Sequence, residues 1–347
     1  MQLTEILARN ARTFGDETAL IERIPDYGRR SAISWRRFYH QANAMANALL
    51  DLGVGKGDRV VQLMMNCIEW LPVYFGILRA GAIAVPLNFR FRAGDIEGCA
   101  TLCEAKVLVF GEDFIERIDA IKPALDAHVA YYIFVGPADR KPAYALSYAD
   151  ISAGADTCEP PVAIDPLDPA GIYFTSGTTG APKGVYLRHR QLEFSCFLEN
   201  RHHNQTHDDN FLCIPPLYHT GAKMHWFGNF IVGARAVLLK GVSPRAILEA
   251  VSEERVTIVW LLVPWAHDIL VALENGQLRL ADYRLEQWRL MHIGAQPVPP
   301  NLIQKWKRYF PAQAYDTNYG LTEATGPGCI HLGMENIHKI GAIGVPG

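Results

Sequence analysis

The chain has 347 residues, of which 49% are hydrophobic, a formal net charge of −3 and a mean hydropathy of +0.02. This length supports a large core or two subdomains, and the near-balanced charge gives no basic field for nucleic acid and no polybasic stripe for a membrane surface. The longest apolar stretches, Ile68 to Leu78 and Ile258 to Ala266, are shorter than a bilayer requires, and the start Met1-Gln2-Leu3-Thr4-Glu5-Ile6 lacks the basic opening and apolar core of a signal peptide, so a cytoplasmic protein is expected.

In chain order, Ser34 reads as an N-cap, followed by Trp35, Phe38, Ala42, Met45, Ala46 and Leu49 at helical spacing, with a stop at Gly53. A strand is expected at Asp58 to Met64, a helix around Glu69 to Arg79, a strand at Ala82 to Pro86, and β-rich runs at Lys106 to Phe110 and Ala130 to Val135. Gly53-Val54-Gly55-Lys56-Gly57 follows a helix and precedes a strand, the reverse of what a dinucleotide fingerprint needs, and reads as a C-cap and turn. The prolines at 160, 161, 166 and 169 mark a surface connection over residues 153–170.

Beyond it, strands are expected at Asn210 to Ile214, Ala234 to Leu239, Val256 to Val263, Trp288 to His292 and Gln313 to Asp316. Helices open at Ser243-Pro244 and run from about Pro299 to Tyr309. Strands alternating with helices of these lengths predict an α/β fold: two packed αβ subdomains, about 1–160 and 161–347, with mostly parallel sheets covered by helices.

The seven cysteines show no Cys-x-x-Cys spacing, so neither a disulfide framework nor a zinc ribbon follows; Cys99 and Cys103 read as small buried residues on one helix face. His202 and His203, with His207, Asp208 and Asp209 close behind, can be read as metal ligands or as a solvated helix end, and the second reading is preferred.

The chemistry concentrates at residues 171 to 185. Gly177, Gly180 and Gly184 permit positive φ and close approach of backbone N–H groups to an anion. Thr175, Ser176, Thr178 and Thr179 add hydroxyl donors, and Lys183 adds charge. The segment is built to hold a polyphosphate, but it is not the common NTPase loop, which needs Gly-Lys followed by Ser or Thr where this chain has Pro182-Lys183-Gly184.

This segment resembles the phosphate-binding signature of the AMP-forming acyl-CoA synthetases, within the adenylate-forming superfamily that includes peptide-synthetase adenylation domains and firefly-type luciferases. Asn318-Tyr319-Gly320-Leu321-Thr322-Glu323 is similar to the family's aromatic-Gly-x-Thr-Glu motif. Pro216-Leu217-Tyr218-His219-Thr220-Gly221 is similar to its Pro-x-aromatic-His segment, and Gly294-Ala295-Gln296-Pro297 to its adenine-side turn.

The resemblance implies a large AMP-binding domain that uses ATP and Mg²⁺ to activate a small carboxylic acid as acyl-AMP, then transfers the acyl group to coenzyme A. Thr175, Ser176, Gly177, Thr178, Thr179, Gly180 and Lys183 would grip phosphates. Gly294, Ala295, Gln296 and Asn318 would line the adenine slot, with Tyr319-Gly320 stacking on the base. Thr322 would donate to the α-phosphate, Glu323 would hold Mg²⁺, and His219 would stand between acid and α-phosphate, making Lys183, His219, Thr322 and Glu323 the expected catalytic set.

Acyl specificity is expected in the segment after His219, around Trp260 to Trp265, and at Leu321 and Ala324. Trp226, Phe227 and Phe230 read as core. Lys223 either points inward, favouring an acid with a second anionic or carbonyl group, or snorkels outward and says nothing.

Residues 341–347 resemble the segment just before the family's ribose-binding aspartate. That aspartate, the hinge and the small C-terminal domain with its lysine would lie beyond Gly347, so weak or first-half activity and self-association, as a homodimer, are expected of the chain as given. Two other readings stay open: adenylation for a carrier-protein thiol, and a catalytically incomplete nucleotide-binding module. Lys223 and His225 in the pocket segment, where amino-acid activators carry an acid, argue against that class of substrate.

Overall fold

The computed structural model describes residues 1–175, 182–330 and 338–346, and within these the chain divides into two compact units. The first contains Met1–Glu17 and Ser34–Glu193, the second Thr18–Ile33 and Phe194–Gly347. Among the described residues no helix is long and apolar enough to cross a membrane.

The first unit is built on a seven-stranded sheet in the order Leu146–Ser147, Tyr131–Val135, Ala105–Gly111, Arg59–Leu63, Ile83–Pro86, Pro169–Thr175, Lys183–Arg188. Every pairing is parallel except the last, an antiparallel hairpin that places Thr175 opposite Lys183. Parallel strands buried on both faces read as unbroken apolar runs, and Val60, Val61, Val107, Leu108 and Val109 have no exposure.

The helices follow the same logic. Ser34 Oγ accepts from the Arg37 amide and opens the helix Trp35–Asp51, whose predicted apolar face is buried. That helix packs on Trp70–Arg79, where Phe38 and Phe75 meet edge to face at 5.3 Å. A Cβ at Gly76 would stand 2.6 Å from Met45, so the closeness of this pair requires glycine. The proline-marked connection is tied down: Asn43 donates to the Thr157 carbonyl, Asn47 to those of Asp156 and Cys158, and Arg79 pairs with Glu159. Cys99 and Cys103 are buried, and burial pushes their thiols up to about 12 and about 11.

The second unit has its own seven-stranded sheet, ordered Ala314–Asp316, Leu290–Gly294, Ile258–Leu262, Asn210–Cys213, Arg235–Leu239, Thr18–Ile24, Arg29–Ser34. The five pairings from Ala314–Asp316 to Thr18–Ile24 are parallel. Ser243 caps the helix Pro244–Glu253 through its hydroxyl, and Pro300–Tyr309 forms as expected. A smaller three-stranded sheet follows, Asn318–Leu321, Gly326–Ile330 and Val345–Pro346, antiparallel throughout. The mostly parallel α/β architecture is the one the sequence predicts.

Candidate functional site

In the first unit, Thr175 ends one strand of the hairpin and Lys183, exposed, begins the other. The intervening candidates Ser176, Gly177, Thr178, Thr179 and Gly180 lie outside the described residues.

The second unit brings most of the other candidates together. The strand Leu290–Gly294 is buried to its last residue and then releases Ala295 and Gln296 to the surface. Ala295 adopts φ 66°, a left-handed conformation that costs a non-glycine residue about 1–2 kcal/mol. The point where Gly294 would carry a Cβ lies 3.9 Å from Asn318 Oδ1, so the turn abuts the strand Asn318–Leu321. Tyr319 is next on that strand and 48% exposed, leaving an aromatic face uncovered.

The antiparallel pairing of Asn318–Leu321 with Gly326–Ile330 makes a hairpin with Thr322 and Glu323 at its tip, half-buried and exposed respectively. Glu323 forms no ion pair with another described residue. Gly320 fixes this hairpin, since a Cβ there would fall 2.6 Å from the Gly326 carbonyl oxygen.

His219 is the exposed N-cap residue of the helix Thr220–Phe230, its ring 4.3 Å from that of Tyr218. Trp260 connects this helix to the turn at Gly294–Gln296: its ring edge is 3.2 Å from the Cβ position of Gly221 and its Nε1 3.8 Å from that of Gly294. Trp226, Phe227 and Phe230 are buried, as a core role predicts. Leu321 and Ala324 are exposed at the hairpin.

Lys223 is fully buried and donates from Nζ to the carbonyls of Leu217 at 2.8 Å and His219 at 3.2 Å. It neither snorkels outward nor leads with its charge, because burial holds the amine well below its ordinary pKa. These contacts fasten the backbone on which His219 stands.

One cluster was not foreseen. His202 and His203 end the helix His189–His203, and they are 1% and 0% exposed, not the solvated helix end expected. Their partner is Asp316, also fully buried, from a strand more than a hundred residues away. His203 Nε2 lies 2.6 Å from Asp316 Oδ2, His292 Nδ1 2.8 Å and His202 Nε2 2.9 Å from the same oxygen. His203 Nδ1 faces Glu199 Oε2 at 3.7 Å, and Asn318 donates to Glu199 Oε1 at 3.3 Å.

Burial alone would raise the Asp316 carboxyl, but the three imidazoles outweigh it and hold the group well below the usual range. Burial, reinforced by the charge of Asp316, pushes Glu199 well above its ordinary value. Two of the residues that follow the histidines go elsewhere: Asp209 binds Arg289 at 2.8 Å, and His207 Nδ1 lies 3.3 Å from the Val232 carbonyl.

Comparison with known proteins fits this geometry. The family model described as "AMP-binding enzyme" matches residues 7–347. The chain is 31% identical over 318 residues to a feruloyl-CoA synthase of Amycolatopsis sp, covering 91% of this chain and 60% of that protein. It is 29% identical over 315 residues to the long-chain-fatty-acid–CoA ligase FadD13 of Mycobacterium tuberculosis, covering 89% and 59%. The inhibitor-bound N-terminal domain of FACL13 from Mycobacterium tuberculosis superposes with a TM-score of 0.86 at 26% identity, over 99% of this chain and 81% of that one. The chain thus spans about 60% of the length of the curated relatives it matches.

Proposed function

The chain belongs to the AMP-binding enzyme family, and on that premise we propose that it activates a carboxylic acid with ATP, as the first half of an acid–thiol ligation. A carboxylate oxygen forms a bond to the α-phosphorus, the bond from that phosphorus to the β-phosphate bridge breaks, and pyrophosphate leaves. In the second half, on this reading, a coenzyme A thiolate attacks the acyl carbon of acyl-AMP and AMP departs.

The observation that carries the reading is the meeting of Gly294, Asn318 and Tyr319 beside a hairpin tip bearing Thr322 and Glu323. An uncovered aromatic face suits a purine, and the Ala295–Gln296 backbone at its edge offers polar contacts. On this reading Thr322 Oγ1 would donate to the α-phosphate, and His219, from the helix start, would orient the attacking carboxylate. Thr175 and Lys183 would hold the distal phosphates with the loop between them.

The donor set also fits magnesium, because Glu323 is an exposed carboxylate, the hard oxygen ligand this cation favours. Bound there, the ion would neutralise charge on the phosphates. On this reading Lys183 would add positive charge against the leaving pyrophosphate, and losing one such donor costs about two to three powers of ten in rate.

Trp260, between Gly221 and Gly294, would form a wall against the acid. The names of the relatives point to aromatic or fatty acids as the first to try.

The test is acid-dependent exchange of labelled pyrophosphate into ATP. Exchange that requires one class of acid and falls about a hundredfold or more in Lys183→Ala supports the reading, and ATP binding with no exchange under any acid refutes it. Offering coenzyme A and a phosphopantetheinylated carrier protein side by side identifies the acceptor.

A further inference from the structure

We propose that His202, His203, His292 and Asp316 form a structural site for a divalent transition metal of the zinc type, separate from the magnesium requirement of nucleotide chemistry. Nε2 of His202, Nε2 of His203 and Nδ1 of His292 converge on one carboxylate oxygen, Asp316 Oδ2, at 2.6 to 2.9 Å. The ligand atoms of His202, His203 and Asp316 all lie within 4.8 Å of one another, and all four residues are buried.

Hydrogen bonding alone accounts poorly for this arrangement. A carboxylate oxygen has about two lone-pair sites, so three imidazoles on one oxygen is one more than it can satisfy well. The surplus is visible in His202: 1% exposed, it brings Nε2 to 2.9 Å from Asp316 Oδ2, yet neither ring nitrogen finds a well-aligned hydrogen-bond partner among the described residues. A cation among these groups would remove the conflict, since nitrogen and oxygen would then share the metal instead of competing for protons.

The dimensions suit zinc. Metal–ligand bonds of about 2.0–2.1 Å in a tetrahedron separate neighbouring ligand atoms by about 3.3 Å, so the nitrogens would withdraw from Asp316 Oδ2 by about half an ångström and draw toward one another from separations of up to 4.8 Å. His202, His203 and Asp316 supply three ligand atoms, and His292, on the same carboxylate oxygen, is the fourth that would close the set and make the site structural.

An outer shell is also in place. A ligating histidine usually offers its second ring nitrogen to a carboxylate, and Glu199 stands behind His203 Nδ1 at 3.7 Å. Glu199 accepts from Asn318, so the shell reaches the strand that carries Tyr319. Metal binding moves the protons on the three ligating nitrogens to the opposite ring nitrogens or to solvent.

The consequence is positional. His292 is two residues before Gly294 and Asp316 two before Asn318. A metal pinning both would fix the two strand ends that the candidate adenine slot is made from, and would hold the end of the helix His189–His203 beside them.

The experiment is to unfold the protein in guanidinium with chelator, then refold it with and without Zn²⁺ or Co²⁺. The inference expects about one metal per chain that survives gel filtration against EDTA, absorption of tetrahedral cobalt with nitrogen and oxygen ligands, and a melting point several degrees above that of the metal-free protein. His202→Gln, which keeps a polar side chain, should lower zinc affinity by about a hundredfold or more. If wild-type protein refolds to the same melting point without metal and retains less than about a tenth of an equivalent of zinc, the cluster is a hydrogen-bond network and the inference is wrong. Equal zinc retention by wild type and His202→Gln would likewise overturn it.

Discussion

His292 Nδ1 donates to Asp316 Oδ2 across 2.8 Å, joining register partners on neighbouring parallel strands whose continuations form the candidate adenine slot. The contact lies between side chains with no solvent exposure, so it acts in a medium where a satisfied polar group stabilises strongly and an unsatisfied one is costly. The slot therefore rests on a rigid buried base, while Ala295, Gln296 and Tyr319 remain exposed above it.

Gly320→Ala should damage the site from within the hairpin. The added Cβ would sit 2.6 Å from the Gly326 oxygen and 3.1 Å from its carbonyl carbon, backbone atoms that cannot turn aside. We expect a loss of about 1–3 kcal/mol in urea unfolding and a larger relative loss in ATP affinity by calorimetry. Wild-type nucleotide affinity in this variant would show that the hairpin does not shape the slot.

Lys223→Met should loosen His219 without changing which acids are accepted. The side chain is buried and donates to the backbone carbonyls of Leu217 and His219, so removing the amine takes a donor from each oxygen at a cost of about 1–3 kcal/mol. The turnover rate should fall by about tenfold through misplacement of the histidine, with the ranking of mono- and dicarboxylic acids unchanged. A reversed ranking would mean that the amine reads the substrate.

A pH effect is expected from the first unit. His189 is buried, and burial lowers its pKa from 6.5 to about 4, with Asp168 opposing and Lys56 assisting. The unfolded chain takes up a proton below pH 6.5 and the folded one does not until about pH 4. The stability from a neutral His189 is thus complete above 6.5 and declines as pH falls toward 4, by up to about 1.4 kcal/mol per pH unit. In His189→Gln this contribution disappears, so urea midpoints of variant and wild type should converge on acidification. A constant gap between pH 7 and pH 4.5 would contradict the assignment.

Much of the fold was legible because the central strands are fully buried: Val60-Val61, Val107 to Phe110 and Ile258 to Leu261 carry no polar residue to interrupt the run. Helix ends marked by Ser34 and Ser243 were legible from their capping chemistry. Thr18–Ile24 was not, because Glu22 and Arg23 break its pattern; Glu22 is nevertheless buried, and Arg23 pairs with Glu254 at 3.0 Å.

The buried histidine cluster was hidden for a related reason. Toward the end of His189–His203 the usual polarity breaks down, with Glu199, His202 and His203 buried beside Leu192 and Cys196 while Phe194 and Phe197 are exposed. A reading based on hydropathy sends the histidines to solvent, and the carboxylate that receives them is supplied by Asp316, which no local spacing reveals. The motifs at 294–296 and 318–323 are short local runs, which the structure places at the end of a strand and in a hairpin.

The most direct measurement of the central claim is to incubate the protein with Mg-ATP, hydroxylamine and a panel of aliphatic, aromatic and dicarboxylic acids, and to quantify pyrophosphate and acyl hydroxamate together. The account predicts equimolar pyrophosphate and hydroxamate with one class of acid, both lost in Lys183→Ala. Release of inorganic phosphate in place of pyrophosphate, or pyrophosphate release independent of any acid, would contradict it.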